Sequence, residues 1–280
     1  MRLTQDQLKK YEDDGYVLLP ECLSYREIEM MKAQLPAIFA EESPRRVVEK
    51  DGGKVRSVYG SHQTNDVFQR LTRHPRLVGP AMQILKSEVY VYQFKINAKV
   101  GFGGDLWDWH QDYIFWLKED GMPTARVVSV VVYLDDVTEF NGPLFLIPGS
   151  HKEGVIDVSA RDKDRTEDIR QHETYRESPS WIANLTTKLR YGLNKEVVAS
   201  TIEKYGITSP KGPRGSVLFM GGNVVHGSPG NISPFDRAVV IVTFNSLENI
   251  PQAVSNPRPE FISSRNPSPI APLAVDTLLI

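Results

Sequence analysis

The residues best suited to chemistry stand in the stretch Trp107-Asp108-Trp109-His110-Gln111-Asp112-Tyr113, just after the glycine-rich Gly101-Phe102-Gly103-Gly104. In an extended backbone alternate side chains point the same way, so His110 and Asp112 are expected on one face. A neutral imidazole beside a carboxylate supplies two of the three ligands of a facial triad. Two histidines and one carboxylate leave three adjacent positions open on a non-haem Fe(II). A His-x-Asp pair alone is equally a solvated or hydrogen-bonded structural pair, so the reading depends on a third ligand and a cosubstrate anchor elsewhere.

Five other histidines are available. His74 precedes Pro75 in a charged stretch and reads as a surface residue, and His172 lies in a polar region. His151 sits on a Gly-Ser loop and reads as a turn hydrogen-bonder. His62, after Gly60-Ser61, is a candidate pocket residue. His226 differs, because Met220-Gly221-Gly222-Asn223-Val224-Val225-His226-Gly227-Ser228 follows a core strand directly and its small residues permit close approach of a metal or ligand. Eleven residues later Arg237 opens the strand Ala238 to Phe244. A cation at a strand mouth is usually exposed, but alternation places Arg237 on the face of Val239, Ile241 and Thr243. A guanidinium against an apolar wall needs a carboxylate, which its planar fork suits. The distal carboxylate of 2-oxoglutarate meets that need.

With 280 residues, 40% hydrophobic and 24% charged, the chain has material for a sizeable core. A net charge of −2 and a pI near 6.3 give no basic footprint for nucleic acid or an anionic membrane. The single cysteine, Cys22, excludes an internal disulfide and a cysteine zinc site and fits a reducing compartment. No apolar run approaches the roughly 20 residues of a membrane span. The charged N-terminus lacks a signal-peptide core, so a cytoplasmic location is expected. Nothing here sets the oligomeric state.

The elements that must position these groups follow from caps and periodicity. Thr4 and Gln7 have capping-box spacing for a helix over 4–14 stopped by Gly15, and Tyr16 to Leu19 reads as a buried strand. Ser24 and Glu27 repeat the box ahead of one helix to about residue 40, bent at Pro36. Asp51-Gly52-Gly53 is the turn of a hairpin into the strand Val55 to Tyr59. A helix near 76–86 precedes a strand from Glu88 to Lys99, where Gln93, Lys95 and Asn97 share one face as a polar stripe inside an otherwise apolar strand, a solvated face being the plain alternative. Further strands cover 126–134, 144–147, 216–220 and 237–244, with a helix within 193–205. Residues 157–192 read as a polar surface excursion or mobile lid. With no repeat and no dividing linker, residues 1–280 are read as one domain. Its class is mainly β with helical additions, around a jelly-roll or double-stranded β-helix core.

His110-x-Asp112, His226 and Arg237 at eleven residues' distance resemble the phytanoyl-CoA dioxygenase (PhyH) family of Fe(II)/2-oxoglutarate oxygenases. Gln93 to Lys99, Gly104 to Trp116 and Glu119-Asp120-Gly121-Met122 are similar to its bacterial hydroxylases of free amino acids, trans-4-proline hydroxylase, leucine 5-hydroxylase and, more distantly, ectoine hydroxylase. Likeness extends to Leu77-x-Gly79-Pro80-Ala81, Phe140-Asn141-Gly142-Pro143-Leu144 and Arg258-Pro259-Glu260-Phe261, while 157–192 departs by its greater length. The resemblance implies further 2-oxoglutarate contacts from Gln93, Trp116 and Ser129. It implies oxidative decarboxylation of 2-oxoglutarate to succinate and CO2, with one atom of O2 entering a C–H bond. Where related halogenases carry a small residue at the carboxylate position, Asp112 stands here and favours hydroxylation. The implied substrate is a small free L-amino acid of the proline, pipecolate or leucine type, and another small metabolite is the alternative within the family. Its carboxylate needs a counter-charge, for which Arg56 with His62 as a neighbour is the candidate, a surface arginine being the plain alternative. A zinc hydrolase or a cupin-like binding protein would use the same triad, but neither requires the carboxylate clamp at Arg237.

Overall fold

The computed structural model describes residues 1–50, 52–156, 180–185, 189–274 and 278, so most of the 157–192 excursion, His172 and Asp51 lie outside the described residues. Local hydrogen bonding sets the N-terminal elements. Helix α1 (Gln5–Asp14) starts at Thr4, which exchanges hydrogen bonds with Gln7, and stops at Gly15 with φ +81°. After β1 (Tyr16–Leu19), the Ser24–Glu27 box opens α2 (Tyr25–Lys32). The expected single helix to residue 40 is in fact two. α2 ends at Lys32 and α3 (Leu35–Ala40) restarts with Pro36 in its first turn, where a missing N–H costs nothing.

The hairpin comprises β2 (Arg46–Val48) and β3 (Val55–Tyr59). Asn65 caps α4 (Asp66–Leu71), a helix too short to be visible as periodicity, and His74 caps α5 (Pro75–Leu85). His74 is therefore not a surface residue. Its Nδ1 accepts the Arg76 N–H at 3.1 Å, and its Nε2 lies 3.1 Å from Glu27 Oε1. The imidazole is fully buried because the cap it makes lies beneath α2.

The remaining elements are β4 (Val89–Lys99), β5 (Trp107–His110), α6 (Asp112–Asp120), β6 (Val127–Tyr133), β7 (Phe145–Leu146), α7 (Lys195–Tyr205), β8 (Val217–Gly221), β9 (His226–Ser228) and β10 (Arg237–Ser246). They form an antiparallel seven-stranded sheet, β1-β8-β6-β10-β4-β3-β2, and a three-stranded sheet, β5-β9-β7, a jelly-roll core with helical additions as expected. Alternation divides the large sheet into two environments. Phe94, Ile96, Val128, Val130, Val132, Val240 and Val242 face a core with Ile28, Met31, Phe68 and Leu77 from α2, α4 and α5. The intervening residues, Gln93, Lys95, Asn97, Ser129, Val131 and Ile241, face a cavity that His110 and His226 of the small sheet also line. The polar stripe of β4 thus points inward, not to solvent. Among the described residues no helix is long and apolar enough to cross a membrane.

Candidate active site

β5 and β9 lie antiparallel with His110 directly opposite His226, their ring centroids 4.2 Å apart. Each ring is fixed by its Nδ1, which donates to a carbonyl two residues earlier: Asp108 O at 2.6 Å for His110 and Val224 O at 2.9 Å for His226. That tautomer leaves both Nε2 lone pairs free to bind a metal. Burial, reinforced by the neighbouring His110, pushes the His226 imidazole down to about 4 and keeps it neutral.

Asp112 reaches the pair differently from expectation. The strand ends at His110, Gln111 is extended, and Asp112 is the first residue of α6. A strand-to-helix corner, not a continuous strand face, brings Asp112 Oδ1 to 3.6 Å from His110 Nε2. Burial opposes its charge, but Lys95, His110 and His226 together hold the carboxyl well below its usual range. One ligand atom from each of His110, Asp112 and His226 lies within 4.8 Å of the others. Two imidazoles and an ionised carboxylate converging from three backbone segments fit a divalent ion such as Fe(II).

The triad lines one end of a cavity of about 80 Å³, with Gln93, Trp116 and Ser129 also on its walls. A second cavity of about 40 Å³ shares Asn97, Trp107, Val131, Leu144 and Ile241 with the first and is lined by Arg237. Arg237 is 5% exposed and donates from Nε to Asn141 O at 3.3 Å and from Nη2 to Gly142 O. Neither acceptor carries a formal charge. Opposite it in the sheet stands Lys99, 3% exposed, whose Nζ donates to Asp105 O and Pro229 O. Burial first, then Arg237 and Arg56, push the Lys99 ammonium down to about 6. Arg237 and Lys99 thus stand side by side, both buried, on the wall of the second cavity, where their donors suit a carboxylate.

The candidates for substrate contact are placed elsewhere. Arg56 is 1% exposed; it stacks on Trp107 at 3.7 Å, pairs with Glu49 at 3.1 Å and donates to Leu106 O and Leu185 O. Its charge is met within the protein, so it is not the open counter-ion the sequence suggested. His62 packs on Phe94 at 5.0 Å, which faces the helical core rather than the cavity. Sequence reading passed over Lys95, Lys99, Tyr59 and Arg258, of which all but Lys99 line the triad cavity. The signal for the lysines was present: Gln93, Lys95, Asn97 and Lys99 repeat with period two, and one face of a strand collects them. Nothing local marks Arg258, which the C-terminal segment carries back to Asp120 on α6.

The phytanoyl-CoA dioxygenase (PhyH) family model matches residues 11–239. The chain is 36% identical over 275 residues to the L-proline trans-4-hydroxylase of Streptomyces griseoviridis, covering 98% of this chain and 97% of that enzyme. It is 38% identical over 273 residues to the ectoine dioxygenase of Bordetella bronchiseptica, covering 94% and 83%. Among solved structures, EctD from S. alaskensis with 2-oxoglutarate and 5-hydroxyectoine gives a TM-score of 0.81 at 28% identity, covering 99% of this chain and 89% of that one. The same protein with bound Fe gives 0.79.

Proposed function

The chain belongs to the phytanoyl-CoA dioxygenase family and is an Fe(II)/2-oxoglutarate-dependent dioxygenase; from that premise we propose that it hydroxylates an unactivated C–H bond of a small free L-amino acid of the proline, pipecolate or leucine type. His110, Asp112 and His226 would hold Fe(II), and Arg237 with Lys99 the distal carboxylate of 2-oxoglutarate. Gln93, Trp116 and Ser129 would line the bound cosubstrate. With iron bound, 2-oxoglutarate is decarboxylated to succinate and CO2 and one atom of O2 enters the substrate. The protein's own part is to position the substrate carbon beside the triad and to exclude water with apolar walls. Asp112, as a ligand, leaves no place for a halide, which favours hydroxylation.

The observation that carries the substrate class is Lys95. Its side chain lines the triad cavity, where its charge acts on Asp112, and it makes no close hydrogen bond or ion pair among the described residues. Arg258, the other cation of that cavity, is already met by Asp120. With Asp112 given to the metal as a ligand, the Lys95 ammonium in this small, largely apolar cavity suits one further carboxylate and a few methylenes. Lys95 therefore replaces Arg56 as counter-charge. The near full-length likeness to a proline hydroxylase supports the same class. A second reading, a cyclic amino-acid derivative such as ectoine, is supported by the relatives of that name.

The test is anaerobic reconstitution with Fe(II) and 2-oxoglutarate, then exposure to O2 with L-proline, L-pipecolate, L-leucine, ectoine and an acyl-CoA. Products heavier by one oxygen atom are expected from more than one free amino acid, because a methylene changes selectivity by only about 1–3 kcal/mol. Succinate release stimulated by ectoine alone selects the second reading. Stimulation by phytanoyl-CoA and by no free amino acid removes both.

A further inference from the structure

We propose that the phenol of Tyr59 is a specificity-determining donor that grips the substrate carboxylate together with Lys95. The inference rests on the amino-acid reading above and names the group that completes its anionic subsite. Tyr59 is the last residue of β3 and stands directly opposite Lys95 on β4, so both side chains leave the same face of the sheet. Both line the triad cavity. The ring is 1% exposed and packed with Val47, Leu185 and Ile262, which leaves it one orientation.

A buried phenol ordinarily finds a hydrogen-bond partner. The side chain that hydrogen-bonds this one is Ser57, two residues earlier on the same strand, with Arg258, Asp112 and Arg56 as the charges felt nearby. Ser57 already donates its hydroxyl hydrogen to Asn97 Oδ1 at 2.9 Å, so toward Tyr59 it is available only as a neutral acceptor. Burial holds the phenol well above its ordinary pKa, hence protonated and a donor throughout the working range. A carboxylate is the stronger acceptor of the two and would take that hydrogen.

The cations nearby point the same way. Arg56 is paired with Glu49 and Arg258 with Asp120, whereas Lys95 makes no close ion pair among the described residues and acts at longer range on Asp112, a carboxylate already given to the triad. An ammonium and a hydroxyl from adjacent strands can each take one oxygen of the same carboxylate. The carbons of the amino acid would then extend along the apolar wall toward His110, Asp112 and His226.

The test is Tyr59→Phe, which removes one oxygen and keeps the ring. Steady-state constants are measured with whichever of L-proline, L-pipecolate and L-leucine the parent enzyme turns over fastest, and with the carboxamide of that amino acid. The variant is expected to raise KM for the amino acid about 10- to 100-fold, the loss of one charge-assisted hydrogen bond. Its kcat should stay within about threefold, its KM for 2-oxoglutarate should not move, and the carboxamide should be handled alike by parent and variant. An unchanged amino-acid KM overturns the proposal. So does an equal loss with the carboxamide, since that marks Tyr59 as packing alone. If the parent turns over no amino acid at all, the substrate reading fails and this inference with it, an outcome distinct from a working parent with an indifferent variant.

Discussion

His226 owes its place to three things at once: the pairing of β9 with β5, the Val224 carbonyl that orients its ring, and burial that keeps it neutral. Replacing it with alanine is expected to abolish stoichiometric iron binding and turnover while the circular dichroism spectrum stays that of the parent. Full iron content in that variant would send the third ligand elsewhere. If Arg237 holds the distal carboxylate of 2-oxoglutarate as proposed, Arg237→Gln removes its bidentate fork, at a cost on the order of 3 kcal/mol. The KM for 2-oxoglutarate should then rise about 100-fold, and an unchanged KM would falsify the anchor. Lys99 adds a pH signature. In the free protein burial, Arg237 and Arg56 lower it to about 6, so it is largely neutral at pH 7.5. A carboxylate bound against it favours the ammonium and raises that value. Between the two values binding takes up a proton, so affinity for 2-oxoglutarate falls as pH climbs above about 6. Calorimetry of 2-oxoglutarate binding at pH 7.5, in two buffers of different ionisation enthalpy, should register net proton uptake that Lys99→Met abolishes. Equal uptake in the variant would assign the proton to another group.

At the scale of elements the decisive piece is the corner between β5 and α6. Gln111 ties it down, donating from Nε2 to Gly154 O at 2.8 Å and to Asn223 O at 2.7 Å, while the Tyr113 N–H reaches Gly222 O at 2.9 Å. The loop that holds this corner is the one that leads into His226, so the ligands are braced against one another. At its other end α6 anchors the C-terminal segment. Arg258 Nε meets Asp120 Oδ1 at 2.9 Å, Arg258 Nη2 and Tyr92 OH share Oδ2, and Tyr92 OH lies 3.2 Å from Ser263 Oγ. Asp120→Asn leaves the buried Arg258 guanidinium with only the longer contact to Glu119 at 3.7 Å as counter-charge, a loss of about 3 kcal/mol or more. Thermal unfolding should move down on the order of 10 °C. A melting point within about 1–2 °C of the parent would show that Glu119 suffices as the counter-charge of Arg258.

For the whole molecule, the large sheet keeps stability and chemistry on opposite faces. Its outer face carries the aliphatic core beneath α2, α4 and α5, and its inner face carries the cavity. The C-terminal segment stitches across the outer side, where the Ile270 N–H bonds Val89 O at 2.8 Å. Leu278 is fully buried there, and its N–H bonds Glu27 Oε1 at 3.0 Å. Leu278→Ala should therefore destabilise by about 2–5 kcal/mol, read by denaturant or thermal melts. KM for 2-oxoglutarate and iron stoichiometry should stay at parental values, because the cavity lies across the sheet. A loss of iron binding in step with stability would show that the two faces are coupled.

The parts readable from the chain alone are those governed by neighbours in sequence. The Thr4–Gln7 and Ser24–Glu27 caps and the strand alternation of β4 and β10 follow from backbone geometry over a few residues. So does the placing of Arg237 on the face of Val239 and Ile241, visible as period two. His110 and Asp112, by contrast, meet through the strand-to-helix corner rather than along one strand face. What only the tertiary structure decided is which face is inside and which charges are already matched. The stripe from Gln93 to Lys99 has the pattern of a solvated surface, and it becomes a cavity floor because the small sheet covers it. Arg56 and Lys95 look alike as cations on strands. Glu49 and the carbonyls of residues 106 and 185 meet the first in direct contact, while the second makes no close ion pair among the described residues and acts at longer range on the triad carboxylate Asp112. Pairing over such distances leaves no trace in local periodicity, because it depends on how strands and loops far apart in the chain are brought together.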